Sequence, residues 1–289
     1  MKLFLYILLC ILWGSSWIAI KKSMTDITPL FSLTLRFVIS ILILYPIVFY
    51  KKLKLPKSFK EFFILGLPGL FMYGVHYALV YFAELYIDSS LMSVLFASFP
   101  LFVGLFAYLF LKEEQLSPYT WLGIFLGFVG VLIISLGSLK TSGEIFIGTI
   151  LGVSSVVAAA LGMIIHKVKH VKKDILVSVT VQMTLGGIPL MIAAFIFEDV
   201  TAIKLSTVSV GSILYLATFC TVIAFLSYYY LMARVTAVVA SSTAYVTPLV
   251  AIFIGLVFFG ESLTGFILAG AVLILCGCFL LSIKGKKRA

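Results

Sequence analysis

The stretch GLFMYGVHYALVYFAELY, residues 69–86, gathers more potential chemistry than any other part of this sequence. On a helix, Tyr73, His76, Tyr77, Val80 and Glu84 share a stripe about 80° wide, while Phe71, Leu79 and Phe82 point elsewhere. Three uses suit such an imidazole. It can bind a cargo, carry a proton because its charge changes near neutral pH, or rest neutral against a tyrosine hydroxyl. Glu84 lies near the end of its run, where a solvated carboxylate or a salt bridge suits it better than proton coupling. A second stripe runs through ILWGSSWIAIKK, where Trp13, Trp17 and Lys21 align with Ser16 beside them. It reads as an aromatic wall with a cation at its mouth, or as an interfacial anchor, since tryptophan and lysine both favour headgroup levels. Trp13 sits mid-run, where an anchor is misplaced, and is read as wall. In the second half, Tyr228, Tyr229, Ser241 and Tyr245 are candidates to line the same space, beside Pro248. No nucleophile–base pair, zinc motif or nucleotide loop is evident, so no catalytic residue is assigned and an enzyme is not expected. His166 and His170 have metal-compatible spacing but stand among lysines, which repel a cation. No metal and no cofactor are expected.

All of these groups lie in apolar surroundings. Of 289 residues, 63% are hydrophobic and 11% charged, with a mean hydropathy of +1.23. Soluble domains carry about 45–50% apolar and about 25% charged residues. The chain therefore reads as an all-α integral membrane protein. Runs of roughly 20 apolar residues suffice to span a bilayer. Ten segments qualify: 3–20, 30–50, 62–86, 90–111, 119–137, 145–165, 175–197, 208–232, 236–259 and 263–283. Barrel strands are excluded because the runs lack period-2 alternation. With both termini placed inside, the inner loops hold sixteen lysines and arginines and the outer loops four. That bias sets the orientation, so both termini are expected in the cytoplasm and the protein in the cytoplasmic (inner) membrane. The net charge of +10 is then a topology signal, and nucleic acid is not expected as a partner. The first run is too long for a leader and is followed by Trp17 and more apolar chain, so it is read as a retained span. Cys10, Cys220, Cys276 and Cys278 read as small buried hydrophobes.

The sequence also repeats. Pro100 and Pro248 fall in register at a separation of 148, as do Tyr81 and Tyr229. Glu114 pairs with Glu261 at 147, and so do Gly123 with Gly270 and Gly130 with Gly277. Gln182 matches Arg36 at 146. The unit is five spans long, so the second copy is expected upside down, with halves at 1–142 and 143–289. Inverted repeats favour secondary transport, because opposed halves can exchange roles around a central site. Prolines inside spans free a carbonyl and bend the helix, so the Pro100/Pro248 pair suggests a gating role. Gly123, Gly127 and Gly130 suggest close helix packing.

Specific motifs sharpen this. LWGSSWIAIKKS followed by PLFSLTLRFVISILILYP resembles the opening of EamA-type members of the drug/metabolite transporter superfamily. P-x(13)-E-x(8)-G from Pro100 and P-x(12)-E-x(8)-G from Pro248 resemble that family's repeat core. The resemblance covers essentially the whole chain. It implies ten helices in two inverted five-helix repeats around a central cavity, serving export or exchange of small metabolites. The sixth span, GVSSVVAAALGMIIHK, lacks the tryptophan often found there, so Trp13 has no counterpart. Arg36 lies about 10 Å into the second span. A guanidinium there costs about 2.5–3.5 kcal/mol on insertion scales unless paired or hydrated. Carbonyls, Glu84 or Asp88 are its expected partners. Because the resemblance makes this arginine a general family feature, a brace or gate is expected of it more than cargo binding. The expectation is a secondary transporter of a small organic solute such as an amino acid, working by alternating access. A passive facilitator and a non-transport membrane subunit are the alternatives. Its partners are a small-molecule substrate and the lipid bilayer, with a monomer as the working expectation.

Overall fold

The computed structural model describes residues 2–111, 118–168, 174–199, 201, 203–234, 243–260 and 264–282. These residues form ten helical rods and no strand. They are α1 (Lys2–Ser23), α2 (Pro29–Tyr50), α3 (Phe59–Ala83), α4 (Ser89–Phe110) and α5 (Pro118–Thr141). The second half follows with α6 (Gly143–Val168), α7 (Ile175–Phe197), α8 (Thr207–Met232), α9 (Thr243–Phe259) and α10 (Gly265–Ser282). Seven of these, α1–α4 and α6–α8, are long and apolar enough to cross a membrane. The remaining three contribute shorter apolar stretches, Trp121–Gly137, Val246–Phe258 and Gly265–Gly277. The expected ninth span starts at 236, and residues 235–242 lie outside the described residues.

The rods begin where local chemistry lets them. Ser58 accepts from Glu61 N at 3.2 Å while Glu61 reaches back to Lys57 N at 2.8 Å, a close relative of the capping box that opens α3. Asp174 caps α7 through Leu176 N, and Ser206 caps α8 through Ser209 N. α2 starts at Pro29, whose missing N–H costs nothing in a first turn. Its cap comes from elsewhere: Glu198, just past α7, accepts from Leu30 N, Phe31 N and the Thr28 hydroxyl at 2.6–2.8 Å. A carboxylate at a helix N-terminus is favoured by the dipole.

Two rods change pitch midway. α3 widens into a π-helical turn at Leu70–Val75, and α8 does the same at Leu216–Ile223. These turns are separated by 146 residues at their starts and 148 at their ends. α4 breaks at Ala97–Ser98, and Pro100 stands in the first turn of its second piece. Pro248, by contrast, lies within unbroken α9.

Packing is paired throughout. α1 packs on α8 and α9, while α6 packs on α3 and α4; α2 packs on α7, and α4 on α9. α5 and α10 run antiparallel in close contact. A Cβ at Gly123 would strike Gly277 O and one at Gly277 would strike Gly123 O; Gly130 and Gly270 exclude each other in the same way at 2.6 Å. Backbones this close require glycine. The outward faces carry bare apolar side chains such as Phe49, Phe195, Phe197 and Phe253. Such a surface belongs against lipid.

Candidate functional site

The rods surround a pocket of about 570 Å³, counting the space at its mouth that is open to solvent. α1 contributes Trp13, Ser16, Trp17 and Ile20, the i, i+3, i+4, i+7 face of one helix. Facing it are Met72, His76 and Tyr77 from α3, and Phe96 and Phe99 from either side of the α4 break. Phe225 and Tyr228 of α8 and Thr243, Ala244 and Thr247 of α9 close it, with Ala159 of α6.

Trp13 is fixed on two sides. Its indole N–H donates to Cys220 O at 3.3 Å, and its ring lies 5.0 Å from Tyr228 and 5.5 Å from Phe225. Cys220 belongs to the π-helical turn of α8. A π-turn lengthens the hydrogen-bond step to five residues and leaves carbonyls open to side chains. Cys220 O is taken by Trp13, and Ala217 O lies 3.2 Å from Ser40 Oγ, which shares its one proton with Arg36 O of its own helix at 2.8 Å. The same turn presents Thr221 Oγ1, which accepts from Arg36 Nε at 2.8 Å.

His76 Nδ1 lies 3.0 Å from Ser155 O. A carbonyl only accepts, so Nδ1 carries a proton. The neutral ring then presents Nε2 as an acceptor. The imidazole is tilted against Tyr77 and Phe96 at 4.6 and 5.4 Å, and the partner of its Nδ1 is a backbone carbonyl, not a tyrosine hydroxyl. Ser16 donates to Trp13 O and Thr247 to Ala244 O, so both hydroxyls spend their protons on their own helices.

Of the residues expected around the site, Trp13, Ser16, Trp17, His76, Tyr77 and Tyr228 line the cavity. Tyr73 and Tyr229 are buried behind the lining. Tyr73 packs between Phe37 and Phe225, at 5.9 and 4.7 Å. The π-turn explains this: residues ahead of His76 leave the 3.6-residue register, and Met72 takes the place on the stripe. Tyr229 donates to Gln182 Oε1 at 2.6 Å, and Gln182 Nε2 pairs with His166 Nδ1 at 3.0 Å. Ser241 lies outside the described residues, and Tyr245 falls on α9 with a side chain that is likewise outside them.

The charged groups take these places. Lys21 pairs with Asp88 at 2.8 Å and also donates to Ile87 O, so Asp88 serves Lys21 and not Arg36. Glu84 is buried, not solvated, and accepts from Ser89 Oγ at 3.5 Å. Arg36 is fully buried, with its guanidinium carbon 4.3 Å from the Tyr77 ring centroid. Residue Thr221, 185 positions away, has no sequence signal as its partner. Met72, Phe96, Phe99, Phe225 and Thr247 are further lining residues that the sequence reading missed. Two carried a signal: Phe225 sits one turn before Tyr228, and Thr247 adjoins Pro248. Among the described residues no cluster of metal ligands occurs.

Comparison with known proteins bears on this architecture. The model of the EamA-like transporter family matches residues 1–136 and 146–283. An uncharacterized inner membrane transporter of Escherichia coli, YedA, is 30% identical over 96% of this chain and 91% of its own length. An uncharacterized transporter of Archaeoglobus fulgidus is 30% identical over 93% and 94%. YoaV of Bacillus subtilis, also an uncharacterized transporter, is 26% identical over 96% and 95%. A solved crystal structure superposes with a TM-score of 0.71 over 97% of this chain and 96% of its own, at 15% identity, a likeness of fold.

Proposed function

We propose, from the premise that this chain belongs to the EamA-like transporter family, that it is a secondary transporter exporting or exchanging a small organic solute such as an amino acid by alternating access. The observation that carries this reading is the aromatic cavity, walled by α1, α3 and α4 from one half and α6, α8 and α9 from the other. Two units at 1–142 and 143–289, crossing the membrane five times each in opposite senses, account for the packing. Relabelling each helix by its partner five positions on turns the α1 contacts with α8 and α9 into those of α6 with α3 and α4. The Gly123–Gly277 contact likewise becomes Gly270–Gly130. A two-fold axis that exchanges antiparallel helices lies in the membrane plane, which supports inversion. With the lysine- and arginine-rich loops inside, both termini face the cytoplasm. The test is solute counterflow: liposomes holding the purified protein and loaded with unlabelled amino acids should transiently accumulate the labelled compound, and protein-free liposomes should not. No accumulation across an amino acid and small-metabolite panel would refute transport.

One observation favours a passive facilitator as second reading. The described lining contains no carboxylate to carry a coupling proton. Uptake that ignores imposed pH and sodium gradients supports the facilitator; uptake driven above equilibrium by either gradient excludes it.

A further inference from the structure

Arg36 is fully buried; the Tyr77 and Tyr81 hydroxyls flank its guanidinium, but Nη1 and Nη2 make no hydrogen bond of good geometry among the described residues. Its Nε is taken by Thr221, and its guanidinium lies over Tyr77, a ring that itself lines the cavity. Among the described residues no carboxylate stands within ion-pair distance of it; the ion pair found there joins Lys21 to Asp88. A buried guanidinium normally acquires a counter-charge, because its removal from water is otherwise uncompensated. The matching place in the second half shows the uncharged solution. Gln182 is fully buried as well, and its amide is satisfied at both ends, by the Tyr229 hydroxyl and by His166. The first half keeps a charge with free donors where the second half has a closed neutral network. Among the residues lining the cavity, Trp17 adds a buried donor of its own, Nε1, which has no partner among the described residues and can only donate.

We infer that Arg36 and Trp17 Nε1 select a cargo bearing an anionic group, a carboxylate, attached to an apolar or aromatic body. The body fills the aromatic cavity, and the carboxylate lies at the Tyr77 side, where it supplies the counter-charge that Arg36 lacks. Tyr77 stands between the guanidinium and the cavity, so Arg36 attracts the group through the low-dielectric wall and meets it directly when that ring turns. This rests on the transport reading for its biological meaning, but its test is binding.

Purified protein in detergent is to be titrated with matched acids and amides, namely benzoate and benzamide, phenylacetate and phenylacetamide, and 3-phenylpropionate and 3-phenylpropionamide. Ligand-dependent rise in melting temperature reports affinity. A charge-assisted hydrogen bond predicts an acid preference of about tenfold for at least one pair. Arg36→Gln should bring that ratio to near one, and Arg36→Lys should keep a preference. A structural brace predicts that Arg36→Gln destabilises the protein while leaving the ratio intact. Equal or better binding of every amide, no binding of any probe, or a ratio unchanged in Arg36→Gln would overturn the inference. The wild-type comparison decides if neither variant folds. Liposome flux of the same pairs separates the two readings. Acid-selective binding without flux would leave the inference standing and refute transport, whereas equal flux of acid and amide would do the reverse.

Discussion

Trp13 shows how one residue joins site and scaffold. Its ring forms cavity wall while its N–H occupies Cys220 O, a carbonyl opened by the α8 π-turn. Trp13→Phe keeps an aromatic wall but leaves that buried carbonyl without this donor. We expect a loss of about 1–3 kcal/mol in thermal or denaturant unfolding. Lys21 and Asp88 lie at the other extreme. Their side chains are 40% and 50% exposed, so their ion pair is worth at most about 1 kcal/mol and fades with salt. Lys21→Ala should therefore shift stability by less than that; a large, salt-insensitive loss would contradict the account. At this scale the sequence was informative where a residue's own helix fixes its direction, as for Trp13, Ser16 and Trp17. It was silent where the partner comes from a distant helix. Arg36 finds Thr221, and Asp88 goes to Lys21, choices made by tertiary packing.

Among elements, α2 depends on α7 for its beginning. The Thr28 side chain caps nothing in the helix; instead Glu198 satisfies two backbone N–H groups of α2. Glu198→Ala should cost about 0.5–2 kcal/mol, the range of a lost N-cap. Hydrogen exchange at the first turn of α2 would show this as loss of protection there ahead of the rest of the helix. The α5–α10 seam is less forgiving. Gly130→Leu would drive a side chain into Gly270 O and Ile274, and overpacking of this kind costs about 1–3 kcal/mol or more. Measured thermal stability should fall accordingly, whereas Gly211→Leu, where a Cβ meets nothing within 4 Å, should leave it near wild type. Helix positions and the close packing at Gly123 and Gly130 were legible in the sequence because apolar runs and small residues are local signals, whereas their partners Gly277 and Gly270 were not. The π-turns were not. LFMYGV and LATFCTVI are ordinary helix sequence, so Tyr73 was assigned to the lining on a 3.6-residue register that the turn abolishes.

For the whole molecule, the claim is that two pseudo-symmetric halves enclose a site through which a solute passes. Family membership and the apolar exterior were both foreshadowed by composition and motif. The shape of the cavity was not, since six of its fifteen lining residues, Ala159 to Thr247, stand at least 60 positions along the chain from the other nine. Counterflow in liposomes, with labelled cargo, tests the claim most directly when cavity and exterior variants are compared. Trp13→Ala, His76→Ala and Tyr77→Ala should each lower flux at least about tenfold, the effect of losing roughly 1.4 kcal/mol of binding, at equal reconstituted protein. Phe197→Ala, at a side chain 78% exposed on the outer face, should transport as wild type does. Undiminished flux in all three cavity variants would show that the solute does not pass through this site.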